Sequence, residues 1–234
     1  MERSAESRHV GNYERLSYYY DELLQDEEAL SLWLDEIEEA PFHSLLELAS
    51  GSAVITGILE RKGYDILASD ISEAMKRAAE RNYQGEYRIL DMTDFHLVRK
   101  FDVVICIVDS VNYLDTDELK KCFRCVYDVL NEGGRFYFDM HHPKRLDEFS
   151  EEYIEEGSLS DCDYQWTIFS EEEEKLLHEH FVFYTDEGMF EEYHTQFVHD
   201  IDDVKAMMEE TGFKTVIKED FVKDEKILVK GVRI

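Results

Sequence analysis

Leu45-Leu46-Glu47-Leu48-Ala49-Ser50-Gly51-Ser52-Ala53-Val54 decides how this chain folds. A short apolar run ends in small residues and a helical pattern then begins. That order predicts a buried strand, a tight turn and a helix amino terminus. Such a unit offers backbone N–H groups and the positive end of a helix dipole to an anionic or polar ligand. Glu47 lies near the end of the strand, just ahead of Gly51. A second acid, Asp70, closes the apolar run that begins at Asp65, and a third, Asp91, closes the run Tyr87-Arg88-Ile89-Leu90. Three successive strands with an acid at or near each carboxyl end converge on one crevice, where open α/β sheets bind their ligands.

The whole composition agrees with one large α/β domain carrying a small insertion: 234 residues are enough to bury a sizeable core. The 25 basic residues face 55 acidic ones, for a net charge of -30. A surface of that sign repels phosphate backbones, so nucleic acid is not an expected partner, while a cationic or amine small molecule would be steered inward. Acidity alone also serves simply to keep a surface solvated. Of the four cysteines, Cys106 sits in an apolar strand, and Cys122 and Cys125 form a C-x-x-C inside a helical pattern without a second pair. Zinc takes about four ligands, so no metal site is expected. The chain opens without a signal-peptide pattern, and no apolar run approaches the ~20 residues that span a bilayer. The expectation is a cytoplasmic protein without a membrane partner.

Elements follow in order around the decisive stretch. Two helices are expected between residues 10 and 39, with Tyr13, Leu16, Tyr20, Leu23 and then Leu30, Trp33, Leu34, Ile37 at helical spacing. Gly63 suits a helix carboxyl cap, and Ser72 an amino cap. The continuous apolar run from Asp102 to Val108 reads as a central strand buried on both faces. Residues 131–134 (Asn-Glu-Gly-Gly) read as a sharp turn before a fifth strand over residues 135–140. Period-2 or β-rich runs at 164–169, 178–184 and 190–198 then predict a three-stranded antiparallel meander, with acidic residues 171–174 at a hairpin tip.

Glu47-x-Ala49-x-Gly51-x-Ala53 resembles the acid-x-Gly-x-Gly-x-Gly motif of the class I S-adenosylmethionine-dependent methyltransferases, with alanine at two of the three glycine places. Alanine is expected to fit that turn only with a negative φ. Asp70-Ile71-Ser72-Glu73-Ala74-Met75 is similar to the family's second motif, Asp-x-Ser-x-x-Met. The resemblance makes Asp70 the acceptor of two hydrogen bonds from ribose hydroxyls, with Ile71 and Met75 beside the cofactor. It makes Asp91 the acceptor from the adenine amino group and lays Met92 against the ring. Asp109-Ser110-Val111-Asn112-Tyr113-Leu114 resembles the fourth motif, the floor between cofactor and acceptor. There Val108 and Asp109 would face the cofactor, and Asn112 and Tyr113 would face the acceptor or hold the loop. Tyr13, Leu16, Ser17 and the pair Tyr20-Asp21 match the amino-terminal lid of small-molecule members, whose tyrosine hydroxyls reach the cofactor or the substrate.

The resemblance covers roughly Tyr13 to Ile234. It implies a Rossmann-like, mostly parallel seven-stranded sheet of order 3-2-1-4-5-7-6, with strand 7 antiparallel and helices on both faces. Residues 1–40 would form a lid, 41–145 with 200–234 the cofactor-binding domain, and 146–199 an acceptor cap. The implied activity is methyl transfer to a small-molecule acceptor by a monomer or homodimer. If the acceptor must lose a proton, His141 is the first candidate base, ahead of Asp139, His142 and His194, with Tyr20 also placed for catalysis. His141 and His194 would also touch the acceptor. Two other readings stand beside this one. A nicotinamide-dependent oxidoreductase needs Gly-x-Gly-x-x-Gly, and the corresponding residues are Ala49, Gly51 and Val54. A non-catalytic or regulatory relative could keep the fold without turnover.

Overall fold

A computed structural model describes residues 13–24, 26–222 and 225–234. The start of the first predicted helix, residues 10–12, lies outside the described residues. Helix α1 is Leu16–Leu24 and α2 is Glu27–Ile37. The Asp26 carboxylate accepts from the amides of Glu28 and Ala29 and so starts α2, a cap worth about 1 kcal/mol.

Seven strands form the main sheet: β1 (Ser44–Glu47), β2 (Asp65–Asp70), β3 (Glu86–Ile89), β4 (Phe101–Cys106), β5 (Leu130–His141), β10 (Phe213–Phe221) and β11 (Lys226–Arg233). Their order is β3-β2-β1-β4-β5-β11-β10, with β11 antiparallel to both neighbours and β1 to β5 mutually parallel. This is the order the motifs imply. The apolar runs are continuous because each face is covered. Leu45, Val103, Ile105 and Tyr137 pack toward Trp33, Ile37, Ile55 and Leu59 on one side. Leu46, Val104, Cys106, Phe136 and Phe138 pack on the other toward α5 (Thr116–Val129) and α7 (Ile201–Thr211). Helices α3 (Val54–Arg61) and α4 (Glu73–Ala79) complete the nucleus around the first two strands. Among the described residues no helix is long and apolar enough to cross a membrane.

Two expectations are corrected here. Residues 131–134 do not break the chain into turn and strand. Leu130 pairs with Phe101 and Arg135 with Val103, so the segment bulges out of an unbroken β5 opposite Asp102, helped by Gly133 at φ +74°. The insertion is a four-stranded sheet, not three: β6 (Tyr153–Ser158), β7 (Asp163–Glu171), β8 (Leu176–Thr185) and β9 (Gly188–Phe197), in sequential order. The unexpected strand, Tyr-Ile-Glu-Glu-Gly-Ser, is acidic and lacks a clean β pattern. It lies at the sheet edge, where charge is tolerated and guards against further pairing.

The inner face of this cap settles on the rest. Phe181 and Phe183 pack with Leu16 and Tyr19 of α1. Ile168 and Leu177 pack with Leu146 and Phe149 near the short helix α6 (Arg145–Glu148). The buried Glu192 of β9 accepts from the amides of Arg15 (2.5 Å) and Leu16 (2.9 Å), satisfying orphan donors at the start of α1.

Candidate functional site

The loop after β1 is built from left-handed residues. Ala49 has φ +50°, Gly51 φ +52° and Ala53 φ +59°. This corrects the expectation of a negative φ at the alanines: both adopt the conformation a glycine would, at a cost of about 1 kcal/mol each. The surroundings hold them there. Ser50 binds the Ser69 carbonyl through its amide (2.8 Å) and hydroxyl (3.1 Å), Tyr87 donates to the Gly51 carbonyl (2.8 Å), and Asn82 donates to the Ser52 carbonyl (2.9 Å). The Ser52 hydroxyl binds Asp21 of α1, which also accepts from Asn82 at 3.0 Å.

Asp70 stands beside this turn, 8% exposed. Its Oδ2 accepts from the Gly51 amide at 3.0 Å and its Oδ1 from the Ser72 amide at 2.8 Å. Burial raises its pKa, against those backbone hydrogen bonds. A carboxylate offers about four acceptor positions, so two remain. A cleft opens from here. Its walls are Ala49 and Gly51, Asp70, Ile71 and Met75, then Asp91 and Met92, then Tyr113 and Leu114, with Tyr13, Tyr20 of α1 and His194 of β9 completing it. Burial first, then the nearby carboxylates Asp109 and Asp70, push the Tyr20 phenol up, so it stays protonated. Asp91 accepts from the amide and hydroxyl of Thr93, both at 2.8 Å.

The remaining candidates lie behind this wall. Glu47 is buried under the loop, bound by the Thr56 hydroxyl, and its pKa is raised by burial and by Asp70. Val108 (φ +58°) and Asp109 (φ +48°) form a strained corner at the end of β4. The Asp109 amide donates to Asp139 at 3.0 Å, and its carboxylate pairs with Lys226 of β11. Asn112 holds the cap, donating to the Phe197 carbonyl (2.5 Å) and accepting from the His141 amide (3.1 Å).

His141 is 3% exposed, with Nε2 at 2.8 Å from the Gln196 side-chain oxygen. Burial, then Lys226, pushes it down to about 4. The imidazole nearest the cleft is instead His194, 2% exposed, whose Nδ1 lies 3.0 Å from the Tyr113 hydroxyl. Tyr13 in turn donates to Tyr113 at 2.8 Å. Glu179, Glu192, Gln196 and Lys226 were not legible as site residues. The one available signal was the alternation that puts Glu192, His194 and Gln196 on a single strand face.

Asp139 carries a pH signature. Burial pushes it up to about 7, with Asp109 adding and Lys226 opposing. A carboxyl whose folded pKa is raised keeps a proton that the unfolded chain releases, so its contribution to stability is lost as pH rises toward 7. Asp139→Asn keeps the oxygen that Asp109 binds and removes the titration. Its melting temperature should gain on the parent as pH goes from 5 to 8; parallel curves would refute this.

A more open cleft lies between the start of α5, α7 and the turn at residues 174–175, lined by Lys120, Lys175, Asp200, Asp203, Glu210 and His199. Its charges are mixed, and His199 is occupied with the Leu114 carbonyl at 3.0 Å. The crevice at the strand ends is therefore the candidate site.

Known proteins agree with that geometry. The family model described as a methyltransferase domain, Methyltransf_25, matches residues 45–134. The chain is similar to "Putative methyltransferase GWCH70_2453" of Geobacillus sp. (strain WCH70), 25% identical over 219 residues, spanning 86% of this chain and 88% of that protein. Its fold is similar to an S-adenosylmethionine-dependent methyltransferase of Clostridium acetobutylicum ATCC 824 (TM-score 0.79, 23% identity, 95% of this chain and 99% of that one). It is likewise similar to the sugar N-methyltransferase KedS8 of Streptoalloteichus sp ATCC 53650 (TM-score 0.80, 22% identity, 100% and 96%). With three acid-tipped strands and this strand order, the chain carries a methyltransferase domain over residues 45–134 on a fold similar to that of S-adenosylmethionine-dependent methyltransferases.

Proposed function

We propose that this protein transfers the methyl group of S-adenosylmethionine to a small-molecule acceptor held between the crevice and the cap. The observation that carries this reading is Asp70: a buried carboxylate, fixed by two backbone amides, with acceptor capacity left over beside a turn whose backbone is bare. The residues present fit the cofactor. A Cβ built on Gly51 would come within 3.9 Å of the Tyr20 ring and 4.0 Å of the Met75 sulfur, so the bare backbone keeps this side of the cleft open. Ala49 and Ala53 share the left-handed turn, so their departure from glycine leaves the loop shape intact.

In this reading Asp70 receives the ribose hydroxyls, Asp91 and Met92 the adenine, and Tyr13 and Tyr20 close over the sulfonium end. The cofactor supplies an electrophilic methyl carbon on sulfur. The chain's part is alignment of the acceptor and exclusion of water. Residues 1–40 serve as lid, 41–145 with 200–234 as cofactor-binding domain and 146–199 as acceptor cap. KedS8 is a sugar N-methyltransferase, and the polar run Glu192, His194 and Gln196 on one face of β9 suits a polar acceptor. The cavity is walled by this chain's own lid and cap, which suits a monomer or homodimer, and the four free cysteines suit the cytoplasm.

Calorimetric titration tests the reading. S-adenosylmethionine and S-adenosylhomocysteine should bind with micromolar affinity and NAD should not. Absence of binding by the first two would overturn it.

A further inference from the structure

Under the cap, nearly every polar side chain is already engaged. Gln196 binds His141 and reaches the Asp109 carbonyl, Asn112 binds Phe197, and His194 binds Tyr113. Glu179 of β8 is the exception. It sits directly across from His194 in the β8–β9 register, on the inner face with Phe181 and Phe183. Its carboxylate has no hydrogen bond or ion pair among the described residues.

A second unfilled set lies beside it. The buried His194 keeps Nε2 without a hydrogen bond, and the buried Glu192 keeps Oε2 without one, the two atoms being 3.8 Å apart. Buried polar atoms left unfilled are costly, and here they stand beside a half-buried carboxylate that no group among the described residues pairs; strands that needed only to fold would carry apolar or amide residues there.

Resting on the methyl-transfer reading above, we propose that Glu179 is the counter-ion for an ammonium group of the acceptor, and that the acceptor is a primary or secondary amine.

The charge around Glu179 supports a cationic guest. Burial, then Asp109, pushes its pKa up to about 7, while His194, Lys226 and Arg145 oppose. Tyr20 and Tyr113 also feel its charge. Lys226 is already paired with Asp109, and Arg145 with Glu148 (3.0 Å) and Glu225 (3.7 Å), so neither cation is committed to Glu179. The net charge of -30 draws cations to the mouth. Glu179 then has a second use. An ammonium nitrogen must lose one proton before it can be methylated. That proton passes to the Glu179 carboxylate, and the N–H pair becomes the lone pair that forms the N–CH3 bond. The pair of the breaking C–S bond stays on sulfur. A carboxylate titrating near neutrality can hold the ammonium and still accept its proton.

The test uses the full chain saturated with S-adenosylhomocysteine, titrated by NMR with benzylamine and glucosamine and with their neutral counterparts benzyl alcohol and glucose. At least one amine should bind at least tenfold tighter than its neutral counterpart. Glu179→Gln should lose that preference and Glu179→Asp should keep it, with S-adenosylhomocysteine affinity unchanged in both. Equal binding of amine and neutral probe, an unchanged preference in E179Q, or no amine binding by the loaded protein would overturn the proposal. Failure of S-adenosylhomocysteine itself to bind would instead overturn the methyl-transfer reading on which it rests.

Discussion

Asp70→Ala should weaken S-adenosylhomocysteine binding about a hundredfold. The carboxylate spends one lone pair of each oxygen on Gly51 and Ser72 and leaves two, which the proposed function gives to the ribose hydroxyls. Hydrogen bonds to a charged group are worth about 1.5–3 kcal/mol each. Losing two costs about 3 kcal/mol, or two orders of magnitude in Kd. The substitution also frees the Gly51 amide, so the turn loosens where the cofactor would lie.

Asp70→Asn should be nearly as damaging. Both carboxylate oxygens face N–H donors, so the amide nitrogen must meet one of them donor to donor. The pH dependence has a definite sign. Burial raises the Asp70 pKa, and the hydroxyls need the ionised form. Affinity should therefore fall as pH drops through that raised value. Calorimetry gives Kd, and a ligand-free melt shows that the fold survives. Undiminished affinity in Asp70→Ala would remove the ribose assignment.

What the sequence discloses about this site is what is local. Strand-end acids, the cap Ser72 and the helix stop at Gly63 each depend on a few neighbouring residues, and all appear in the structure. Conformation under tertiary load is not local. Ala49 and Ala53 are left-handed because Ser69, Tyr87 and Asn82 pin the loop from elsewhere in the chain. Contacts across the fold are equally hidden. Glu192 caps a helix 176 residues earlier, and nothing in the run Glu-Glu-Tyr-His announces it. His141 looked like a base because it follows a strand at the crevice. The structure buries it beside Gln196, with burial and then the Lys226 charge pushing its pKa down, while His194 of β9 reaches the cleft wall.

Lys226→Met should cost the fold about 3 kcal/mol, roughly 6–12 °C in melting temperature for a chain of this size. Lys226 stands at the start of β11, paired in register with His141, and reaches Asp109 from 117 residues away. Both partners are largely buried, with side chains 15% and 17% exposed. Asp109 sits on the strained corner after Val108, and Asp139 lies against its amide. Methionine retains the length of the lysine stem and removes the only cation paired with this group of acids among the described residues. The loss is then one of charge rather than packing. Lys226 holds Asp109 below the ordinary carboxylate range against burial. A depressed folded pKa gives stability that is present above the unfolded value near 3.8 and lost as pH falls through the folded one. The penalty of Lys226→Met should therefore be full at pH 7–8 and shrink toward pH 4, where the stranded acids take up protons. Adding Asp109→Asn should recover part of it at neutral pH, since the carboxamide no longer needs a counter-ion. A penalty independent of pH, with no recovery in the double variant, would mean that Lys226 contributes its stem alone, and the corner at Val108 and Asp109 would then be held by the β4–β5 and β11–β5 ladders instead.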